Sequence, residues 1–156
     1  KALKLEPDDV EIKYQLGIAY MEIGDLTVAA QYFEEYVSVN LQDEIAFFLL
    51  GKCYFEINDY LAALLALQRA NVISSNNHQI LYYIGLTYSG LGEESDAALT
   101  FRKALKINPE DPELYFALGK SYYRLNKNKK VKETLDILNM LDRTLWDQLR
   151  NEIGAR

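Results

Sequence analysis

The pattern of apolar and polar positions in Glu44–Ile57 predicts a helix that is apolar on nearly every side. Its sequence is EIAFFLLGKCYFEI, and its charged residues are Glu44, Lys52 and Glu56. A helix of this kind is either buried all round or carries a binding surface. Related segments lie at a fixed interval before and after it: VEIKYQLGIAYMEI (Val10–Ile23), HQILYYIGLTYSGL (His78–Leu91) and PELYFALGKSYYRL (Pro112–Leu125). The chain is therefore built from repeated helical segments.

The repeat has a period of 34 residues, marked by Gly17, Gly51, Gly85 and Gly119. In step with these glycines run Leu16, Leu50, Ile84 and Leu118, and then Tyr20, Tyr54, Tyr88 and Tyr122. A second set follows in each repeat, formed by Ala29, Ala63, Ala97 and Val131 and by Phe33, Leu67, Phe101 and Leu135. Glycine on the first helix lets a neighbouring helix approach where a Cβ atom would clash. The spacing predicts four helix–turn–helix pairs.

This pattern resembles the tetratricopeptide repeat family. The likeness rests on the 34-residue period, on LG-x-x-Y in the first helix, where Ile84 replaces the leucine in the third repeat, and on a small residue and then an aromatic one in the second helix. Pro7 and Pro109 match the family's closing proline, whereas Leu41 and Ser75 depart from it. The resemblance implies an all-α, right-handed α-solenoid that binds a protein or peptide and carries no catalysis of its own.

The repeat pattern predicts a single domain over residues 1–156. Its parts are a partial repeat at 1–8, four repeats at 9–42, 43–76, 77–110 and 111–143, and a capping helix at 144–156. The turn inside each repeat is marked by Gly24, Asn58, Gly92 and Asn126. Glycine and asparagine most readily take the left-handed conformation that ends a helix.

Start signals mark several helices. First helices are expected to begin at Asp8 with Glu11 three residues on, at Asn76 or Asn77, and at Asp111 followed by Pro112. Thr144, with Asp147 three residues later, predicts the start of the capping helix. The apolar stripe of that helix comprises Leu145, Leu149 and Ile153, with Trp146 alongside. We expect it to cover the exposed end of the fourth repeat.

The second, fifth, ninth and twelfth positions of each first helix fall on one face, almost opposite the LG-x-x-Y stripe. In the tetratricopeptide family this face lines the concave surface. The residues predicted to bind a partner there are Tyr14, Ile18, Met21, Phe48, Lys52, Phe55, Tyr82, Leu86, Phe116, Lys120, Tyr123 and Arg124. The apolar side chains would anchor a helical or extended segment of the partner. Lys52, Lys120 and Arg124 would orient its carboxylates or carbonyls.

Two interpretations of the fifth-position aromatic residues, Tyr14, Phe48, Tyr82 and Phe116, stay open. They either pack between adjacent repeats or contact a partner. The apolar character of neighbouring positions such as Leu86 favours binding, because a large exposed apolar patch usually marks an interaction site. The paired change Phe48→Ala and Tyr82→Ala separates the two. Loss of binding without loss of stability supports contact, and a large loss of stability supports packing.

Charge and length narrow the class of partner. The chain has 156 residues and a net charge of −6, and no apolar run is long enough to span a membrane. A net acidic chain is a poor candidate for general nucleic-acid binding. Residues 101–156 nevertheless hold twelve lysines and arginines against eight acidic residues, and Lys127, Lys129, Lys130 and Lys132 cluster at the turn of the fourth repeat. That cluster is either simply solvated or a docking patch for an acidic surface or an anionic lipid.

Catalytic and metal-binding patterns are missing from the sequence. His78 is the only histidine and falls between repeats, which does not support a catalytic triad or a zinc site. Cys53 is the only cysteine, and its place in the repeat predicts a small packed residue. We therefore predict no enzyme, no catalytic residue, no metal and no cofactor.

Two other functions stay open at this stage. The chain could be a structural spacer or self-assembly segment of a longer tetratricopeptide protein, or the regulatory arm of an enzyme outside this fragment. Leu3 and Leu5, in the opening KALKL, lack a partner helix, which predicts self-association through the truncated N-terminal end.

Overall fold

The computed structural model describes residues 10–154, and this part of the chain is helical with short turns and no strand. Its helices are α1 (Val10–Glu22), α2 (Leu26–Val37), α3 (Glu44–Glu56), α4 (Tyr60–Ile73), α5 (His78–Gly90), α6 (Glu94–Ile107), α7 (Pro112–Arg124), α8 (Asn128–Leu141) and α9 (Arg143–Ile153). The all-α prediction is confirmed. The partial repeat at 1–8, with Leu3, Leu5 and the expected cap Asp8, lies outside the described residues.

The helices fall into two compact units that meet in sequence between Ser75 and Asn76. In the first unit α1 packs on α2 and α3 on α4, and α2 joins the two pairs by packing on α3. In the second unit α5 packs on α6 and α7 on α8, α6 packs on α7, and α9 packs on both α7 and α8. The prediction of one domain over residues 1–156 stays a prediction.

The turn inside each repeat has the predicted left-handed residue. The backbone φ angles are 83° at Gly24, 62° at Asn58, 80° at Gly92 and 55° at Asn126. The next amide donates to the carbonyl of the motif tyrosine, as in the 2.9 Å bond from the Asp25 nitrogen to the Tyr20 oxygen. This 6→1 hydrogen bond, from an amide to the carbonyl five residues earlier, is characteristic of the Schellman motif. The turn chemistry read from the sequence is confirmed.

The motif glycines lie where a neighbouring helix comes close, as predicted. A Cβ atom would lie 2.8 Å from Phe33 Cε1 at Gly17, 2.5 Å from Leu67 Cγ at Gly51, and 2.5 Å from Phe101 Cε1 at Gly85. Those three partners belong to the second helix of the same repeat and are completely or almost completely buried. In the fourth repeat the corresponding contact for Gly119 is Leu149 of α9, at 2.6 Å from Cδ2.

Aspartate and asparagine side chains cap most of the helices. Asn77 and Asp111 cap α5 and α7 as predicted, and Asp43 caps α3. The predicted cap of the last helix was wrong. Asp142, not Thr144, accepts hydrogen bonds from the amides of Thr144 and Leu145, so α9 begins at Arg143. The Asp142 carboxylate, two residues before Thr144, reaches the free amides of the first turn.

Candidate partner-binding faces

One side of α3 is buried and the opposite side is apolar but solvent-accessible. The buried residues of α3 are Ala46, Leu50, Gly51 and Cys53. At 3.6 residues per turn, Ile45, Phe48, Lys52 and Phe55 share the opposite side, which we call the α3 face. Ile45 is 59% exposed, and the other three are half-buried. Ile45 was missed among the predicted residues, although it occupies the second position of its first helix, which was placed on this side.

Each phenylalanine at the fifth position makes a cation–π contact with the lysine at the ninth position, one helical turn later. Lys52 Nζ lies 5.8 Å from the centre of the Phe48 ring, and Lys120 Nζ lies 5.4 Å from the centre of the Phe116 ring. An ammonium group within about 6 Å of a ring face is attracted by the ring's quadrupole. In the second and fourth repeats the aromatic residue and the cation therefore form one local unit.

The tyrosines at the fifth position pack against the second helix of their own repeat. The Tyr14 ring lies 4.9 Å from the Tyr36 ring and meets Phe33 edge-on at 5.8 Å. The Tyr82 ring lies 6.1 Å from the Phe101 ring. Burial, followed by the nearby Glu113 carboxylate, raises the pKa of Tyr82 to about 12. Both tyrosines are half-buried, so part of each ring stays accessible.

The ninth and twelfth positions of α1 and α5 are apolar and partly accessible. Ile18 and Met21 pack at the edge of the core cluster of the first unit. Leu86 of α5 is likewise half-buried. Tyr123 of α7 is 46% exposed. These side chains extend the accessible apolar surface of the first helices without being part of a fully buried core.

The two cations predicted on α7 pair with carboxylates of the second unit. Arg124 Nη1 donates to Glu94 Oε1 at 2.6 Å and to Ser89 Oγ at 2.6 Å. Lys120 Nζ lies 2.8 Å from Glu152 Oε2, which joins α7 to α9. The hydrogen bond from Lys120 lowers the pKa of the Glu152 carboxyl. A ligand carboxylate would have to displace these partners.

Metal-binding and membrane-spanning features do not occur in the described part of the chain. No group of three or more histidine, cysteine, aspartate or glutamate residues within 10–154 could hold a metal ion. None of the helices between Val10 and Ile153 has the length and apolar character needed to cross a bilayer. Cys53 is completely buried, as predicted, and burial raises the pKa of its thiol to about 11.

Family models cover most of the chain. A tetratricopeptide repeat model matches residues 1–45 and 14–78, and a TPR repeat model matches residues 91–126. The chain belongs to the tetratricopeptide repeat family. Its tetratricopeptide repeats form a protein-interaction scaffold, and this repeat fold is itself non-catalytic. A comparison with curated protein sequences gives no match.

Solved structures of MamA have the same tetratricopeptide fold. A crystal structure of MamA protein is 27% identical, with a TM-score of 0.84, and the match covers 90% of this chain and 77% of that one. A second MamA crystal structure is 25% identical, with a TM-score of 0.77, over 99% of this chain and 85% of the other. A MamA RS-1 ArsTM double mutant is 25% identical, with a TM-score of 0.84, over 89% and 78%.

Proposed function

We propose that this scaffold holds a helical or extended segment of a partner protein in an apolar groove formed by the exposed faces of its first helices. The observation that carries the proposal is the α3 face. Ile45, Phe48 and Phe55 lie with Lys52 on the side of α3 opposite its fully buried residues. Ile45 is 59% exposed, and the two phenylalanine rings are half-buried, with Phe55 packed on Tyr60 at 5.8 Å between ring centres. An exposed isoleucine beside two partly accessible phenylalanine rings is the kind of apolar surface that usually marks an interaction site.

The energetics favour an apolar anchor over an ionic one. Each well-buried aliphatic or aromatic anchor of the partner contributes about 1.5–3 kcal/mol. Several anchors are needed to offset the ordering of the bound segment. Lys120 and Arg124 contribute less than the sequence predicted, because Glu152 and Glu94 already neutralise them. The proposal therefore places the main anchoring on the α3 face and gives the cations an orienting role.

The test uses peptides selected from a random peptide library displayed on phage, with the affinity of each selected peptide measured by fluorescence anisotropy. The variant Ile45→Ser with Phe48→Ser should weaken binding by tenfold or more. The matched control is Leu65→Ser on α4, a residue that is 71% exposed but lies on another helix. Equal affinity of the parent and the α3 variant would refute the proposed groove. Circular dichroism of both variants confirms that the helices are retained.

A specific feature of α4 favours a second candidate, the self-assembly segment. Leu61, Leu65 and Val72 are 68%, 71% and 73% exposed and lie on one outer stripe of that helix. At the first of these positions the other second helices have Thr27, Ser95 and Lys129. The one charged residue of α4, Arg69, is directed at the Leu41 carbonyl oxygen, 3.0 Å away. The stripe therefore carries no charge, and Gln68 is the polar residue within it.

A second copy of the chain fits this stripe by symmetry. In an antiparallel two-fold pairing of α4 with itself, Leu61 opposes Val72 and Leu65 opposes Gln68, so every contact occurs twice. Light scattering over a range of concentrations should then show a dimer that Leu65→Lys converts to monomer. A monomer at all concentrations would eliminate this candidate, and the Ile45→Ser, Phe48→Ser variant serves as its control.

A further inference from the structure

The second unit contains a pocket of about 460 Å³ between the end of α7, the start of α8 and the accessible side of α9. Its apolar wall is formed by Val131, Leu135, Trp146 and Ile153. The volume is within the range of sites that hold small ligands or pairs of side chains. These four residues lie on α8 and α9, whereas the proposed groove is formed by the first helices. Tyr123 of α7 also lines the pocket and is the one residue that the pocket shares with the faces of the first helices.

The pocket arises from a substitution in the packing of the fourth repeat. In the first three repeats the residue sixteen positions after the motif glycine fills the space beside it, as Phe33 does for Gly17. In the fourth repeat that residue is Leu135, but Leu149 of α9 takes the place beside Gly119. Leu135 is left half-buried and lines the pocket instead. An apolar side chain that its own repeat does not bury is thus available to a ligand.

The charges around the pocket are predominantly positive. Lys132 and Arg150 line it, together with one carboxylate, Asp136. Within residues 10–154 neither of these cations makes an ion pair, and Arg150 lies over the Trp146 ring at 4.5 Å. The sequence between Glu113 and Glu133 contains six lysines and arginines and no acidic residue. A ligand that enters the apolar pocket therefore meets cations at its rim.

We propose that this pocket binds an acidic peptide segment whose apolar side chains enter against Leu135 and Trp146 while its carboxylates pair with Lys132 and Arg150. Charge complementarity selects the acidic partner, since the two cations outnumber the one carboxylate of the pocket and only an acidic segment can form ion pairs with both of them. The concave shape favours a peptide over an anionic bilayer, because a flat lipid surface cannot place apolar groups on the pocket wall. The inference does not depend on the α3 face.

Trp146 provides a direct readout, because it is the only tryptophan in the chain and lies in the pocket wall. The probe is a short capped peptide with a central Leu–Phe pair flanked by glutamates, and its control is the same peptide with glutamines. The glutamate peptide should change the Trp146 emission saturably. Its affinity should fall as salt is added, since exposed charges are screened. Lys132→Glu should weaken binding about tenfold, as expected for reversing one charge in a charge-selected site.

The controls separate this site from general attraction and from the groove. Lys103→Glu changes an exposed cation on α6 that does not line the pocket and should alter the affinity less than twofold. Equal losses from Lys103→Glu and Lys132→Glu, or equal binding of the glutamine peptide, would overturn the proposal. So would a response to phosphatidylserine vesicles without one to the peptide. Binding that is lost in Ile45→Ser, Phe48→Ser would move the peptide to the α3 face and also reject the pocket.

Discussion

A Cβ atom on Gly119 would lie 2.6 Å from Leu149 Cδ2, so the space beside the fourth motif glycine is filled by α9 and not by the second helix of the same repeat. Leu149 is completely buried there. The ion pair between Lys120 and Glu152 holds the same two helices together on the neighbouring turn. The last helix is therefore an integral part of the fourth repeat's packing, and its position leaves Leu135 in a pocket wall.

The motif glycines should differ in their tolerance of alanine. At Gly51 the added methyl group would meet Leu67 at Cγ, 2.5 Å away, and at its backbone nitrogen, 3.2 Å away. The backbone cannot move aside, so Gly51→Ala should lower the free energy of unfolding by about 1–3 kcal/mol. At Gly119 only the flexible tip of Leu149 is too close, and the next atom, Thr134 Cγ2, is 3.4 Å away. Urea denaturation of both variants measures the difference.

Gly119→Ala should leave the free energy of unfolding nearly unchanged. The cost of rotating Leu149 aside is offset by the higher helix propensity of alanine, about 1 kcal/mol. A loss at Gly119 as large as that at Gly51 would mean that Leu149 is as rigidly held as Leu67.

The 34-residue period was enough to predict the helix pairs, the close approach at the glycines and the turns at Asn58 and Asn126. These features depend on local backbone geometry, which glycine and asparagine specify at each position. The period could not show that Leu149 displaces Leu135, because both are leucines on apolar stripes. Only the packing of α9 against α7 decides between them.

The start of α9 offers a test of the corrected cap. The Asp142 carboxylate accepts from the Thr144 amide at 2.8 Å and from the Leu145 amide at 3.0 Å. Asp142→Ala should lower the free energy of unfolding by about 0.5–2 kcal/mol, as loss of a helix cap does. Thr144→Ala, the change at the residue that the sequence favoured, should stay within about 0.5 kcal/mol of the parent. Thermal or urea unfolding that ranks the two variants in the reverse order would restore Thr144 as the cap.

A buried hydroxyl in the fourth repeat should be dispensable. Ser121 and Thr87 occupy the same repeat position and are both completely buried. The Thr87 hydroxyl donates to the Tyr83 carbonyl oxygen at 2.7 Å, whereas among the described residues Ser121 Oγ has no hydrogen-bond partner. Ser121→Ala should therefore raise the free energy of unfolding by roughly 1 kcal/mol, the cost of an unsatisfied buried hydroxyl. Thr87→Ala, measured in the same denaturation series, should lower it; equal effects would contradict the assignment.

Cys53 occupies that same position in the second repeat and should be chemically inert in the folded protein. It is completely buried, and burial raises the pKa of its thiol to about 11. The thiolate is the reactive form, so both access and ionisation are suppressed at neutral pH. A colorimetric thiol reagent should react with Cys53 only at the rate of unfolding, and fully in denaturant. Rapid reaction of the native protein would show that α3 opens locally.

The candidate binding residues were less predictable than the fold. Tyr14 and Phe48 occupy equivalent positions in the repeat. In the structure, however, the Tyr14 ring packs on the Tyr36 ring, whereas the Phe48 ring makes a cation–π contact with Lys52. The sequence also did not show that Lys120 and Arg124 meet Glu152 and Glu94, since those partners lie on helices far along the chain. Side-chain pairing of this kind depends on how helices pack, and a repeat period carries no information about it.

The loss of stability at alkaline pH should reveal the ionisation of Tyr36, which joins α2 to the start of α3. The Tyr36 hydroxyl donates to Asp43 Oδ2 at 2.9 Å, and burial, followed by this hydrogen bond, raises the Tyr36 pKa from 10.0 to about 12. Below pH 10 both the folded and the unfolded states keep the phenol proton, so the stabilising contribution is complete. Between pH 10 and 12 the unfolded state loses the proton first, and the free energy of unfolding falls.

Tyr36→Phe removes this group, so urea denaturation across that interval should show a shallower fall than in the parent. The variant should also be less stable below pH 10, because Asp43 loses a hydrogen bond while it still caps α3 through the Ala46 amide. Parallel curves for the parent and Tyr36→Phe would mean that Tyr36 ionises equally in both states.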